Sequence, residues 1–215
     1  DDGASWSLGV PPGSAQSIMF TNAFWKAVVI DSSTVSSAPQ TLAVNSLTIT
    51  SLSPTNGVYT TRNTLLLNYA GAGHPLVIGV DANNPGSLLI DPDSTVAMFS
   101  SGMIVNNALG TNNSHLGEFQ IDGNFIQSDN SEVVAGFLNL TGTYNFTNGE
   151  LFVGTQFING KFNQQGGTNT GRLIFTESGE YNLFDGVVAG GVELNGPFAG
   201  VFKQSGGTNI STVGL

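Results

Sequence analysis

The sequence predicts an all-β fold, a β-solenoid in which coils of about nineteen residues stack on one another. Three observations predict it. The composition favours strands and turns over helices. A Gly-x-aromatic segment recurs five times in the second half at near-constant spacing. Within each copy, side-chain character alternates with period two and the run ends in turn residues.

Composition bounds the answer first. Charged residues make up 9% of the 215-residue chain, against roughly 25% in an ordinary globular protein. Their place is taken by 29 Gly and by many Asn, Ser and Thr. Helices are built from Ala, Leu, Glu and Lys, so this mixture argues against them. The length suits one large all-β domain.

The repeat carries the fold prediction. Its copies are Gly123-Asn-Phe125-Ile-Gln127, Gly142-Thr-Tyr144-Asn-Phe146, Gly160-Lys-Phe162-Asn-Gln164, Gly179-Glu-Tyr181-Asn-Leu183 and Gly200-Val-Phe202-Lys-Gln204. Their leading glycines lie 19, 18, 19 and 21 residues apart. Six and seven positions after each come Asp129-Asn130, Asn148-Gly149, Gly166-Gly167, Asp185-Gly186 and Gly206-Gly207. These residue types tolerate positive φ, so every copy turns at the same place. A longer period overlies the first. Gln-x-Gly-Gly-Thr-Asn occurs at 164–169 and again at 204–209, and Phe alternates with Tyr along the five copies. The repeating unit is therefore a pair of coils.

Glycine, an aromatic and then Gln, Phe or Leu at alternate positions is the signature of a strand. A five-residue strand cannot bury its apolar face alone, but an identical strand stacked about 4.8 Å away can cover it. Stacking would gather Phe125, Tyr144, Phe162, Tyr181 and Phe202 into one inward column of rings. The position between the leading glycine and the aromatic faces outward, which sets Lys161 beside Glu180 as a check on register rather than a source of stability.

The first half carries a fainter version. Short apolar strands are expected at Leu47–Ile49, Leu65–Leu67, Leu76–Ile78, Leu88–Ile90, Met103–Val105 and Phe119–Ile121, separated by clusters such as Asp81–Gly86 and Asp91-Pro-Asp93. Residues 1–45 differ again. They hold Trp6, Trp25 and the Pro11-Pro12-Gly13 turn and are read as an N-terminal cap that covers a strand edge. The solenoid proper is read as 46–215, one continuous domain. Its last residues, Thr208–Leu215, stop inside a coil, from which the chain is expected to continue or to pair with another subunit.

Charge and special residues narrow the function classes. Net charge is −10, and the five basic residues, Lys26, Arg62, Lys161, Arg172 and Lys203, are scattered. Nucleic-acid binding needs clustered Lys and Arg, so no nucleic-acid partner is expected, and an anionic membrane surface is disfavoured on the same ground. No apolar run reaches the ~18 residues of a membrane span. There are no cysteines, so disulfides, thiol chemistry and Cys-based zinc sites are excluded. Low charge, an acidic balance and abundant Asn, Ser and Thr point to a secreted or surface-displayed protein.

The pattern Gly160-x-Phe162-x-Gln164-x-Gly166-Gly167-Thr168-Asn169, then an apolar strand, then Gly179-x-Tyr181-x-Leu183-x-x-Gly186, resembles repeats of large bacterial surface proteins of the autotransporter-passenger-like and adhesin-like kind. Trp6-Ser-Leu-Gly, Val28-Val-Ile-Asp31 and Ser46-Leu47-Thr48-Ile49 are similar to segments that open such regions. The strong match covers about residues 117–215. The resemblance implies a right-handed parallel β-helix of the pectin-lyase-like kind, an extracellular location and a stalk or adhesin role. It transfers no catalytic residue, since one fold hosts many activities.

Carbohydrate cleavage is the rival reading, and it requires two carboxyls facing one cleft. Candidate sets are Asp91 with Asp93, Asp122 with Asp129 and Glu132, and Glu177 with Glu180. Each also reads as turn or corner residues, which is the preferred reading. Asp122, Asp129 and Glu132 also form a candidate Ca²⁺ set. Arg62 and Arg172, the candidate lyase bases, stand alone in sequence. His74 and His115 sit in loop-like stretches with no partner at ligand spacing. Asn169 and Asn209 are expected to bond their own turns. N-x-Ser/Thr sequons occur at Asn112, Asn139, Asn145 and Asn209.

No phosphate loop or nucleophile elbow occurs. No residue is therefore assigned a catalytic, cofactor-binding or metal-binding role, and no cofactor is expected. The expected function is structural or adhesive, with surface glycans or neighbouring cell surfaces as partners. The alternatives are a fibre subunit that pairs with itself through open solenoid ends, and a carbohydrate-active enzyme.

Overall fold

The computed structural model describes residues 12–22, 26–37, 41–51, 63–71, 74–81, 83–107, 117–176, 178–194 and 200–214. Trp6, Trp25, Arg62, Asn112, His115, Glu177 and the Pro11 end of the Pro-Pro-Gly turn lie outside these residues. Strand dominates, and the strands form two sheets, of eight and sixteen strands. The pairing is parallel throughout except where Asn84–Pro85 folds back on Leu76–Asp81. The arrangement is compatible with the expected β-solenoid.

The eight-stranded sheet runs Lys26–Asp31, Asn63–Asn68, Thr95–Phe99, Asn124–Ser128, Thr143–Phe146, Lys161–Gln164, Glu180–Leu183, Val201–Gln204. The larger sheet is two parallel ladders. One includes Ser46–Ser51, Ser87–Ile90, Glu118–Ile121 and Arg172–Phe175; the other includes Leu76–Asp81, Gly102–Val105 and Thr168–Asn169. The nine-residue strands Glu132–Leu140 and Glu150–Ile158 serve both ladders, the first half of each in one and the second half in the other. Between neighbouring strands of the smaller sheet the chain thus visits both ladders of the larger one.

Register holds to the sequence repeat in the second half. Asn124 pairs with Thr143, Thr143 with Lys161, Lys161 with Glu180 and Glu180 with Val201. In the first half the steps are longer: Ser46 pairs with Ser87, Lys26 with Asn63 and Thr95 with Asn124. All six apolar segments named from sequence there are strands. They occupy different ladders and the smaller sheet, which is why their spacing along the chain is uneven. Ser17–Asn22 and Lys26–Asp31 stand at one end of the two sheets. After Asp31 comes a six-residue helix, Ser32–Ser37, that the repeat did not predict. Asp31 Oδ1 accepts the Ser33 and Thr34 N–H groups at 2.9 and 3.1 Å. That is an N-cap legible in Asp-Ser-Ser-Thr.

The leading glycines of the repeat have a steric cause. A Cβ on Gly142 would lie 2.1 Å from Gly123 O, and one on Gly160 would lie 2.2 Å from Gly142 O. The carbonyl of one repeat fills the space a side chain would need in the next. The turn six and seven positions after each leading glycine needs positive φ, and Asp129, Asn130, Gly149, Gly167, Gly186 and Gly207 all adopt it.

The inward column of rings is present. Phe125, Tyr144, Phe162 and Tyr181 are fully buried. Successive ring centroids along Phe125, Tyr144, Phe162, Tyr181 and Phe202 lie 4.8, 4.6, 4.5 and 5.4 Å apart. From Tyr144 onward the planes are stacked, within 17° of one another. Below Phe125 the column continues as Val96 and Leu65.

The Phe/Tyr alternation has a physical explanation. The Tyr144 hydroxyl donates to Gln127 Oε1 of the preceding repeat at 2.7 Å. The Tyr181 hydroxyl donates to Gln164 Oε1 in the same way. Both glutamines are fully buried. Their Nε2 groups tie down carbonyls, Gln127 those of Ser131 and Glu150, Gln164 those of Gly167 and Val187. A Phe-x-Gln strand must therefore be followed by a Tyr-x-Phe or Tyr-x-Leu strand. A buried phenol needs an acceptor, and a buried amide oxygen needs a donor. Burial pushes both phenol pKa values far above the ordinary tyrosine range.

Candidate functional site

Strands built by these rules present their alternate residues outward. On the eight-stranded sheet one outward column is Asn145, Asn163, Asn182, in register from strand to strand. Asn163 Nδ2 donates to Asn145 Oδ1 at 2.9 Å, and Asn182 Nδ2 donates to Asn163 Oδ1 at 3.0 Å. The repeat spacing brings equivalent amides together, so each donates to the one before it. Beside it run Thr143, Lys161, Glu180 and Val201.

Glu180 is the ionic centre of this face. Lys161 is its register partner as expected, but the contact ion pair forms with Lys203 on the other side, Nζ to Oε1 at 3.1 Å. Asn182 Nδ2 also donates to Oε1, at 2.8 Å. The Asn182 amide first and then Lys203 hold this carboxyl below its ordinary pKa, with a smaller attraction from Lys161. A second outward column, on the larger sheet, is apolar: Ala43, Val77, Ile104, Val134 and the exposed Phe152.

The carboxylate candidates do not converge. Asp91 and Asp93 lie in a turn rather than on a strand face. Asp91 O accepts the Ser94 N–H at 3.0 Å, and Asp93 has φ 65°. Asp122 is bonded by Gln120 Nε2 and the Thr141 hydroxyl. It and Asp129 flank opposite ends of Asn124–Ser128, a strand that spans about 13 Å. Glu132 opens the next strand, with Glu150 as its register partner.

Two partnerships were invisible in the sequence. His74 Nε2 stands 3.2 Å from Glu132 Oε2, fifty-eight residues away. Arg172, isolated along the chain, meets Glu193 through Nε at 2.7 Å and Nη2 at 2.6 Å. Neither partner lies near in sequence, so no local signal pointed to it. Among the described residues no group of three or more His, Asp or Glu side chains is placed to hold a metal ion.

Asn169 bonds its own turn as expected, accepting the Gly171 N–H at 3.1 Å. It does more than that. Fully buried, it joins Gln156, whose Nε2 lies 2.6 Å from its Oδ1, to the Tyr181 hydroxyl, 3.0 Å from its Nδ2. Asn209 repeats the turn bond with the Ser211 N–H at 3.0 Å. No described helix is long and apolar enough to cross a membrane. No family model matches the chain, and no curated protein or solved structure matches it either.

Proposed function

We propose that this chain is a stalk-like, adhesive segment of an extracellular bacterial surface protein. In this reading it is a right-handed parallel β-helix with coils of about nineteen residues in its second half. Its work is mechanical and interfacial rather than catalytic. The observation that carries the proposal is the register itself. Parallel partners follow one another through both sheets, and on the smaller sheet the buried ring column runs unbroken from strand to strand, with tyrosine hydroxyls on the glutamines of the preceding strand.

Chemistry and shape support the same reading. Parallel strands with short connections grow by adding equal steps, which lengthens a particle without changing its cross-section. Asp31 caps a helix, Asp81 and Asp185 bond their own turns, and Glu132, Glu180 and Glu193 meet His74, Lys203 and Arg172. The half-buried Asn145 and Asn163 amides, with Thr143 and the exposed Lys161 beside them, offer donors and acceptors of the kind hydroxyl-rich surface glycans recognise, and the adhesin-like repeat resemblance points to such partners.

Two experiments test the proposal. Duplicating residues 160–199 inserts two repeats. The variant is expected to fold and to lengthen the particle by roughly 10 Å in solution scattering. A rounder particle, or a misfolded one, refutes the architecture. Incubation with a polysaccharide panel, with and without Ca²⁺, separates adhesion from catalysis. Retention on a polysaccharide without new reducing ends or unsaturated products is expected, and catalytic release of such products overturns the non-enzymatic reading.

A further inference from the structure

Asparagine followed by glycine is the dipeptide most open to attack of the next backbone nitrogen on the side-chain amide, because glycine offers no steric shield. The sequence holds four such pairs, and two of them, Asn148-Gly149 and Asn159-Gly160, lie in the described residues. The two occupy different turns of the same repeat, and the structure treats them in opposite ways.

At Asn148 the reacting atoms are brought together. The side chain is exposed, and the Gly149 N–H donates to Asn148 Oδ1 at 2.9 Å. The Gly149 nitrogen therefore already lies against the carbonyl group it would attack. Gly149 has φ 107° and belongs to the turn, outside the paired strands. At Asn159 the Gly160 N–H is committed instead to Leu140 O at 2.7 Å, and the Asn159 N–H reaches the same oxygen at 2.8 Å. Attack there must first break the Gly160 bond.

We propose that Asn148 is a site of spontaneous, succinimide-mediated deamidation in the folded protein, while the fold holds Asn159 inert. The Gly149 nitrogen loses its proton and forms a bond to Asn148 Cγ. The Cγ–Nδ2 bond breaks, and ammonia leaves with the proton it needs. Water then opens the ring at either carbonyl to give aspartate or isoaspartate. The steps need only water and base.

The fold already accommodates the first product. Asp185-Gly186 occupies the equivalent turn two repeats on, with Gly186 at φ 88° and its N–H donating to Asp185 Oδ1 at 2.7 Å. Aspartate at 148 gives up the bond from Asn148 Nδ2 to Asn130 Oδ1, 3.1 Å long, and adds a negative charge to an acidic chain. Isoaspartate lengthens the main chain by one carbon within a turn that must match its neighbours. Reaction at Asn148 thus marks the age of a molecule at one exposed corner.

The test compares folded protein with urea-unfolded protein, both held at mildly alkaline pH, by peptide mapping with mass spectrometry and isoaspartyl methylation. Mapping separates the pairs at 56–57 and 195–196 from the two compared. In the folded protein Asn148 is expected to convert about tenfold or more faster than Asn159, since Gly160 must surrender a hydrogen bond worth about that factor. Unfolding should bring the two rates close together. Asn148→Ser removes the fast product and Asn159→Ser leaves it. Equal rates in the folded protein overturn the proposal. So does an Asn148 that stays intact while the unfolded chain converts.

Discussion

Removing a single oxygen from Tyr144 tests the explanation of the two-repeat period. In Tyr144→Phe the ring keeps its place between Phe125 and Phe162, whose centroids lie 4.8 and 4.6 Å away. Only the 2.7 Å bond to Gln127 Oε1 is lost. Gln127 cannot turn to compensate, because its Nε2 is engaged by the Ser131 and Glu150 carbonyls at 2.7 and 2.9 Å. A buried acceptor is left dry, at a cost of about 1–3 kcal/mol. For a chain of this size that lowers the melting temperature by roughly 3–10 °C.

The converse substitution, Phe162→Tyr, adds a hydroxyl where the preceding repeat offers Phe146, which meets Phe162 edge-on at 6.5 Å. With no acceptor there it should cost a similar amount. Adding Phe146→Gln recreates the Tyr–Gln pair. It should recover about 1 kcal/mol or more as coupling between the two sites. Urea unfolding followed by circular dichroism measures the parent, Tyr144→Phe, Phe162→Tyr, Phe146→Gln and the double variant; the last three with the parent give the coupling, and Tyr144→Phe gives the single-site cost. A Tyr144→Phe variant within about 0.5 kcal/mol of the parent, or a Phe162→Tyr variant at least as stable as the parent, refutes the reasoning.

Three further outcomes follow from the same geometry. Gly160→Ala places a Cβ 2.2 Å from Gly142 O and should destabilise by at least about 2 kcal/mol in thermal unfolding, whereas Ala at the open Gly191, nearest Arg172 at 3.8 Å, should be tolerated. Asn163→Ala removes the 2.9 and 3.0 Å amide bonds and should cost about 1–2 kcal/mol in urea unfolding; an unchanged midpoint would show the amide column to be idle. Burial raises the folded pKa of Tyr144 and Tyr181, so their contribution is intact below the unfolded value of about 10 and is lost as pH rises past it, by about 1.4 kcal/mol per unit for each phenol. Alkaline titration should then show these two tyrosinates appearing only together with loss of strand circular dichroism; ionisation in the folded state would contradict their burial.

Much of the second half was legible because its repeats are short and nearly equal in length. Equal spacing converts directly into register, so Gly-x-Phe-x-Gln named the strand, the turn and the ring column together. The same logic explains where legibility stopped. Lys161 and Glu180 are register partners, yet the ion pair goes to Lys203, because register sets backbone neighbours while side-chain reach chooses among them. In the first half, steps such as Ser46 to Ser87 carry long intervening segments, so spacing along the chain no longer measures distance between strands. The helix at Ser32–Ser37 lies outside the repeat, and its only local signal is the Asp31 cap, a single residue against a chain-wide β pattern.

What repeats locally can be read along the chain: strand period, turn positions, the aromatic column and its alternation, and the scatter of positive charge. Which distant groups meet comes only from the folded arrangement. It set His74 against Glu132, Arg172 against Glu193 and the Tyr181 hydroxyl between Gln164 and Asn169. It also revealed why glycine leads each repeat, since the obstacle to a side chain is a carbonyl from the repeat before. The physical reason is one of range. Backbone alternation and turn preference are properties of a few consecutive residues, whereas steric exclusion and hydrogen-bond satisfaction in a parallel stack depend on what the neighbouring strand supplies.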